Sequence, residues 1–190
     1  MAFTIESMAS HFETRQWVPY PVELVFAFFA NPSNLPHLMP PVLETRVEDV
    51  RIVPPPPRPV AQEPARRFLS VAAGAGSEIL ISFYPFRYLP KRVSWLVRIT
   101  EFEWNRQFCD EQVRGQFSFF RHRHLIRAET QEGQEGTLVT DAIEYELPFG
   151  PMRYFGGPLA QRYLERSFAY RHERLPEILA TASHQAARRG

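Results

Sequence analysis

Cysteine is almost missing from this chain: Cys109 stands alone among 190 residues. One thiol closes no internal disulfide, so no cystine framework holds the fold, and such sparing use fits a reducing compartment. An excess of charge of either sign is missing too, with 22 Lys and Arg against 21 Asp and Glu. With no net field to recruit them, neither nucleic acid nor an anionic membrane surface is expected as a partner. The N-terminal MAFTIESMASHFETRQW has no apolar h-region, and no run approaches the roughly 20 apolar residues that span a bilayer. A cytoplasmic protein with no membrane insertion is therefore expected. There is no phosphate-binding glycine loop, no Ser-centred elbow and no dinucleotide fingerprint, so a nucleotide cofactor is not indicated.

What the chain does have is aromatic side chains and proline. Aromatics make up 14% of residues and hydrophobics 44%, with 16 Phe, which is ample for a core that also lines a cavity. A length of 190 residues suits one domain, with a core expected over about residues 11–181. Six prolines fall between Pro54 and Pro64. That connection reads as a stiff extended loop. Stiffness also lowers the entropy lost on docking, so a protein-interaction module is one alternative reading.

The strongest pattern lies in residues 115–150. Phe120, His122, His124 and Ile126 share one face of a strand, while Arg121, Arg123 and Arg127 mark the other as solvent-facing. A following strand alternates likewise, with Thr137, Val139, Asp141, Ile143, Tyr145 and Leu147 on its inner face. Residues 131–136 are polar and carry Gly133 and Gly136, which predicts an antiparallel hairpin. Pairing His124 with Asp141 or with Ile143 keeps both apolar faces together, and either register makes Asp141 a neighbour of His124. Two histidines, an aspartate and a tyrosine thus point into an apolar interior, which is costly unless they are satisfied or used.

Residues 11–18 read as a strand that ends at Pro19-Tyr20-Pro21. Val22, Val25, Phe26 and Phe29 recur at helical spacing up to Asn31-Pro32. SNLPHLMPP, residues 33–41, is a proline-punctuated short helix or ordered loop presenting Leu35, Leu38 and Met39. Strands are predicted over 42–53, 77–84, 92–102 and 108–113, with a poorly bounded one at 68–75. From Pro158 the period is helical, with Ala160, Leu164, Phe168, Arg171, Leu175 and Ile178 on one stripe. Pro176 removes the bond to the His172 carbonyl, so a kink or a break into two pieces is expected there. The sum is an α+β grip: a curved antiparallel sheet of six or seven strands around one long C-terminal helix, with two short helices after the first strand.

FETRQW with PVELVFAFFANPSNLPHLMPP resembles the opening of START-like, SRPBCC-superfamily proteins, whose helix-grip fold is shared with birch pollen allergen-type proteins and aromatic polyketide cyclases. VSWLVRITEF, QFCDEQVRGQFSFFRHRH, GTLVTDAIEYELPFG and LERSFAYRHERL are similar, in that order, to a bacterial subgroup described as ligand-binding SRPBCC domains. The resemblance covers about residues 12–180. It implies a deep, mostly apolar cavity between sheet and long helix, holding a small hydrophobic ligand that is lipid-like, aromatic or polyketide-like. Carried onto this sequence, the lining would comprise Phe26, Phe29, Leu38, Met39, Trp95, Val97, Phe108, Phe120, Val139, Ile143, Leu164 and Phe168, with His122, His124, Asp141 and Tyr145 as its polar members. Phe120 stands where such sequences tend to have tryptophan, and Gln116 replaces the proline expected after Gly115, which bears on the pocket's dimensions.

Three chemistries suit the polar members. His-x-His places two imidazoles on one strand face, with Asp141 as a third metal ligand. Such a site needs second-shell partners that nothing in the sequence specifies, so no metal and no cofactor are assigned. An imidazole oriented by a carboxylate titrates near neutral pH, which makes His122, His124, Asp141 and Tyr145 candidates for acid–base work in a cyclase or dehydratase, a lyase or isomerase. The favoured role is recognition of a ligand's polar end by a satisfied network. Asp110 and Gln112 stay open, since a bulge at Gly115 could reverse the face they occupy. Cys109 has no activating base near it in sequence and is not assigned a nucleophilic role.

Overall fold

The computed structural model describes residues 9–60, 70–85, 91–148 and 156–187, with side chains to residue 184. In chain order the elements are β1 (Ser10–Val18), α1 (Val22–Phe29), β2 (Arg46–Arg51), β3 (Glu78–Phe83), β4 (Val93–Glu103), β5 (Gln107–Arg114), β6 (Phe119–Gln131), β7 (Gln134–Glu146) and α2 (Gly157–Ala187). The strands form one seven-stranded antiparallel sheet in the order β1-β7-β6-β5-β4-β3-β2. From β2 to β7 it is therefore a simple meander, and β1 closes it by pairing with the free edge of β7. The long, curved sheet and the single C-terminal helix make a helix-grip α+β fold.

The hairpin of β6 and β7 has the tightest local cause. Glu132 and Gly133 both take positive φ, 50° and 79°. That two-residue turn matches the right-handed twist of the flanking strands and sets the register, which places His124 opposite Asp141. On the outer face Arg121 reaches Glu111 at 2.7 Å and Arg123 reaches Glu101 at 3.1 Å, so the arginine row is solvated and cross-paired. Gly136 is required by close approach: a Cβ there would meet the Trp17 ring at 2.4 Å and the Val18 carbonyl at 2.5 Å.

Between β1 and β2 the chain folds back as α1 and two 3-10 turns, Pro32–Leu38 and Pro41–Leu43. Asn31 caps the first, its Oδ1 accepting from Ser33 N at 3.1 Å, and Pro32 sits at its first position. The strand predicted over 42–53 is shorter than expected. Pro41–Leu43 is a 3-10 turn, Glu44 is left-handed at φ 43°, and pairing begins only at Arg46. Residues 70–75 form no strand, while 68 and 69 lie outside the described residues. Instead Ala73 N donates to Ala30 O and Gly74 N to Val53 O, which binds this segment over the end of α1. The proline run is fastened down as well: Trp104 Nε1 donates to Pro56 O at 2.6 Å, and the Arg58 guanidinium lies 4.4 Å above the same ring.

The α2 helix buries Leu164, Phe168, Arg171, Leu175 and Leu179, so Leu179 rather than Ile178 completes the inner stripe. Pro176 does not split it: Gly157–Ala187 is one helix. The carbonyl that proline leaves without its N–H partner, His172 O, accepts from Gln16 Nε2 of β1 at 2.7 Å. Among the described residues no helix is long and apolar enough to cross a membrane.

Candidate functional site

Between the sheet, α2 and the segment from α1 to the 3-10 turns lies a cavity of about 540 Å³. Its sheet wall carries Trp95, Val97, Phe108, Phe120 and Ile143, its helix wall Leu164 and Phe168, and its third wall Phe29, Leu38 and Met39. Phe26, Val139 and Tyr145 face inward but stand behind these walls. Phe26 packs edge-on to Phe108, with ring centroids 5.9 Å apart, and against Phe102 and Trp104. Tyr145 is buried in the apolar cluster under α2 with Phe12, Phe120 and Phe168. Val139 belongs to the main core.

The polar residues gather at one place. Asp141, only 2% exposed, is its centre and does not itself line the cavity. Its Oδ1 accepts from His122 Nε2 at 2.9 Å and from Arg171 Nη1 at 3.0 Å. His124 Nδ1 lies 2.8 Å from the same oxygen, yet off the direction of a proper hydrogen bond, so the contact is ionic and that nitrogen has no well-formed hydrogen-bond partner. The nitrogens turned away from Asp141 approach a second carboxylate: His124 Nε2 is 3.4 Å and His122 Nδ1 3.9 Å from Asp110 Oδ1. Aromatic rings hold the imidazoles. Phe108 stacks on His124 with centroids 4.2 Å apart, Phe168 meets His122 edge-on, and the Arg171 guanidinium covers Phe168 at 4.5 Å.

Burial works against charge on all of these groups, and the partners decide the outcome. For Asp141 burial alone would favour the neutral acid, but Arg171, His122 and His124 hold it well below the usual carboxylate range. For His122 burial dominates, with repulsion from His124 added, and its pKa falls despite Asp141. For His124 burial is outweighed by Asp110 and Asp141, and its pKa rises. The pair is thus asymmetric: His122 is the neutral imidazole, donating from Nε2 to Asp141, and His124 the readier cation. Two residues that line the cavity carry further buried polar atoms. Trp95 Nε1 is buried and, among the described residues, has no hydrogen-bond acceptor. Burial pushes the Tyr163 hydroxyl up to about 12, with Ser167 pulling the other way.

The family model for polyketide cyclase / dehydrase and lipid transport proteins matches residues 18–167. The chain belongs to this family. The match runs from the end of β1 into α2 and includes residues of all three walls of the cavity, ending just before Phe168. Solved structures agree on the fold of this family member. A START superfamily protein from Mycobacterium smegmatis superposes with a TM-score of 0.59 at 11% identity, covering 90% of this chain and 97% of that one. The protein TTHA0849 from Thermus thermophilus gives 0.56 at 18% identity, covering 92% and 99%. Ara h 8.0201 gives 0.53 at 10% identity, covering 91% and 99%. No curated protein matches the chain significantly.

Two residues of the polar site are not singled out by the sequence. Arg171 is visible there as a charge on the apolar stripe of α2, a position where an arginine needs a buried partner, but nothing local names that partner as Asp141. Asp110 is ambiguous in face from sequence. The structure turns it inward, because β5 pairs with β6 so that Asp110 stands opposite His122, and the register shifts fall on the other side of β5, against β4. Gln112 also belongs to the inner set of β5, where its side chain clamps the bend after the strand by bonding both Phe117 N and Phe117 O. Cys109 faces away from this set, buried, with its thiol pushed up to about 11 by that burial.

Proposed function

We propose that this protein binds a small, largely hydrophobic molecule carrying one polar oxygen function, in the cytoplasm, in the cavity between sheet and helix. The observation that carries this is a cavity of about 540 Å³ with mostly apolar walls, on which the ionisable groups Asp110, His122, His124 and Arg171 gather at one place. That volume lies within the range of about 300–1,000 Å³ typical of ligand pockets. Burying about 300 Å² of apolar ligand surface yields roughly 7 kcal/mol gross at about 25 cal/mol/Å². Association costs at least about 4 kcal/mol of this. Useful affinity therefore depends on the polar end, where His124, the readier cation, and Arg171 are the available donors. The family's description, with lipid transport and cyclase chemistry side by side, supports a lipid-like, aromatic or polyketide-like ligand.

Native mass spectrometry of gently purified protein should show a co-purified small molecule, and a fluorescent naphthylamine probe should bind and be displaced by fatty or aromatic acids. Leu164→Trp, which fills the cavity, should weaken probe binding at least tenfold, equivalent to about 1.4 kcal/mol. Equal binding by Leu164→Trp, or no binding by the wild type, would remove the proposal. An acid–base reaction is the second reading, favoured by the neutral His122 held by Asp141 beside the cavity. It replaces simple binding if the wild type consumes its co-purified ligand and Asp110→Asn abolishes consumption while retaining affinity.

A further inference from the structure

We infer that Asp110, His122 and His124 form a binding site for one divalent transition-metal ion of the zinc and iron(II) class, at the polar floor of the cavity. Each residue offers one ligand atom, and those atoms all lie within 4.8 Å of one another. Ligands held about 2.0–2.2 Å from a tetrahedral ion stand roughly 3.3 Å apart. The His124 Nε2 to Asp110 Oδ1 separation, 3.4 Å, is already of that size, His122 Nδ1 stands 3.9 Å from the same oxygen, and an ion would draw the widest pair, within 4.8 Å, together by up to about 1.5 Å.

The support behind the ligands argues more strongly than the distances. A metal-bound imidazole characteristically gives its other N–H to a carboxylate, which fixes the ring and its tautomer. Here His122 Nε2 is hydrogen-bonded to Asp141 Oδ1 at 2.9 Å, His124 Nδ1 lies in ionic contact with the same oxygen at 2.8 Å, and Asp141 is itself anchored by Arg171 at 3.0 Å. Stacking on Phe108 and edge contact with Phe168 hold the rings from the sides. Asp110 is left for the ion: among the described residues no arginine or lysine pairs with it. Asp141 is thus the supporting carboxylate and not a ligand. Two imidazole nitrogens and one carboxylate oxygen suit zinc or iron(II) and are a poor set for magnesium or calcium, which prefer all-oxygen surroundings. All three ligands line the cavity, so the remaining coordination positions open toward it and would take an oxygen atom of whatever molecule lies there. The ion needs only protein atoms, so its binding is independent of the identity of any organic ligand.

The test uses full-length protein made without a histidine tag. Metal analysis of protein grown in zinc- and iron-supplemented medium should find close to one ion per chain. After chelator treatment, calorimetric titration with zinc chloride, or with iron(II) under anaerobic conditions, should show one site, while magnesium and calcium chloride should not compete. Asp110→Asn should weaken the site, and Asp141→Asn should weaken it by about 10–100-fold although it removes no ligand. His11→Ala, at an exposed histidine on the outer face of β1, should leave affinity unchanged. Cobalt(II) added to the wild type should develop the intense visible bands of a low-coordinate nitrogen–oxygen site, a readout that depends on no variant folding. Sub-stoichiometric zinc and iron(II) binding by the wild type, a weak all-oxygen cobalt spectrum, or affinity unchanged in Asp110→Asn would each overturn the inference.

Discussion

Arg171 and Asp141 show how a single buried charge constrains its neighbours. Their side chains are 8% and 3% exposed, and the guanidinium lies between the carboxylate and two phenylalanine rings. Desolvating both charges consumes most of what their attraction returns, so the pair adds little stability in itself, whereas removing one partner strands the other. Arg171→Leu should therefore destabilise the protein by about 3–5 kcal/mol in urea unfolding. The double variant Arg171→Leu/Asp141→Leu should cost clearly less than the two single changes added together. Additive losses would mean that the two side chains are not energetically coupled.

At the scale of elements, the join between β1 and α2 decides how a proline survives inside the long helix. Pro176 leaves His172 O without its usual donor, and Gln16 supplies one from the edge strand. Gln16→Ala should leave a partly buried carbonyl unsatisfied, at about 1–3 kcal/mol, and speed amide exchange in the turns after Pro176. Pro176→Ala restores the helix's own N–H donor. In that background Gln16→Ala should be close to neutral. An undiminished cost there would show that Gln16 acts through something other than this carbonyl.

At the scale of the whole molecule, closing the sheet with β1 and laying α2 across it moves titratable groups out of water, which ties stability to pH. His172 is an example apart from the cavity floor. Burial lowers its pKa from the ordinary 6.5, opposed by Asp141 and assisted by Arg171. The folded protein then binds this proton less readily than the unfolded chain. The contribution is fully present above the unfolded value of about 6.5 and is lost as pH falls through the folded one. Wild-type stability should rise with pH across this window more steeply than that of His172→Gln, as measured by urea midpoints at a series of pH values. Parallel curves for the two proteins would contradict the assignment.

Local pattern alone determined the faces of β6 and β7, the antiparallel hairpin between them and the inner stripe of α2 as far as Leu175, and it narrowed the partner of His124 to Asp141 or Ile143. Side-chain alternation, helical period and turn chemistry are properties of neighbouring residues, so they can be read along the chain. Only the tertiary structure decided what each inward side chain meets. Phe26 and Phe29 share a helix and an inward direction, yet Phe26 packs against Phe102, Trp104 and Phe108 while Phe29 borders the cavity. Asp110 and Arg171 come to the imidazoles from β5 and α2, elements that no local rule brings to β6. Where strand 42–53 was expected, proline chemistry at residues 40–41 and a left-handed Glu44 prevailed over a β-rich composition. The cavity is the space left over when sheet and helix meet, and its shape depends on side chains from every wall at once, which is why no single stretch of sequence encodes it.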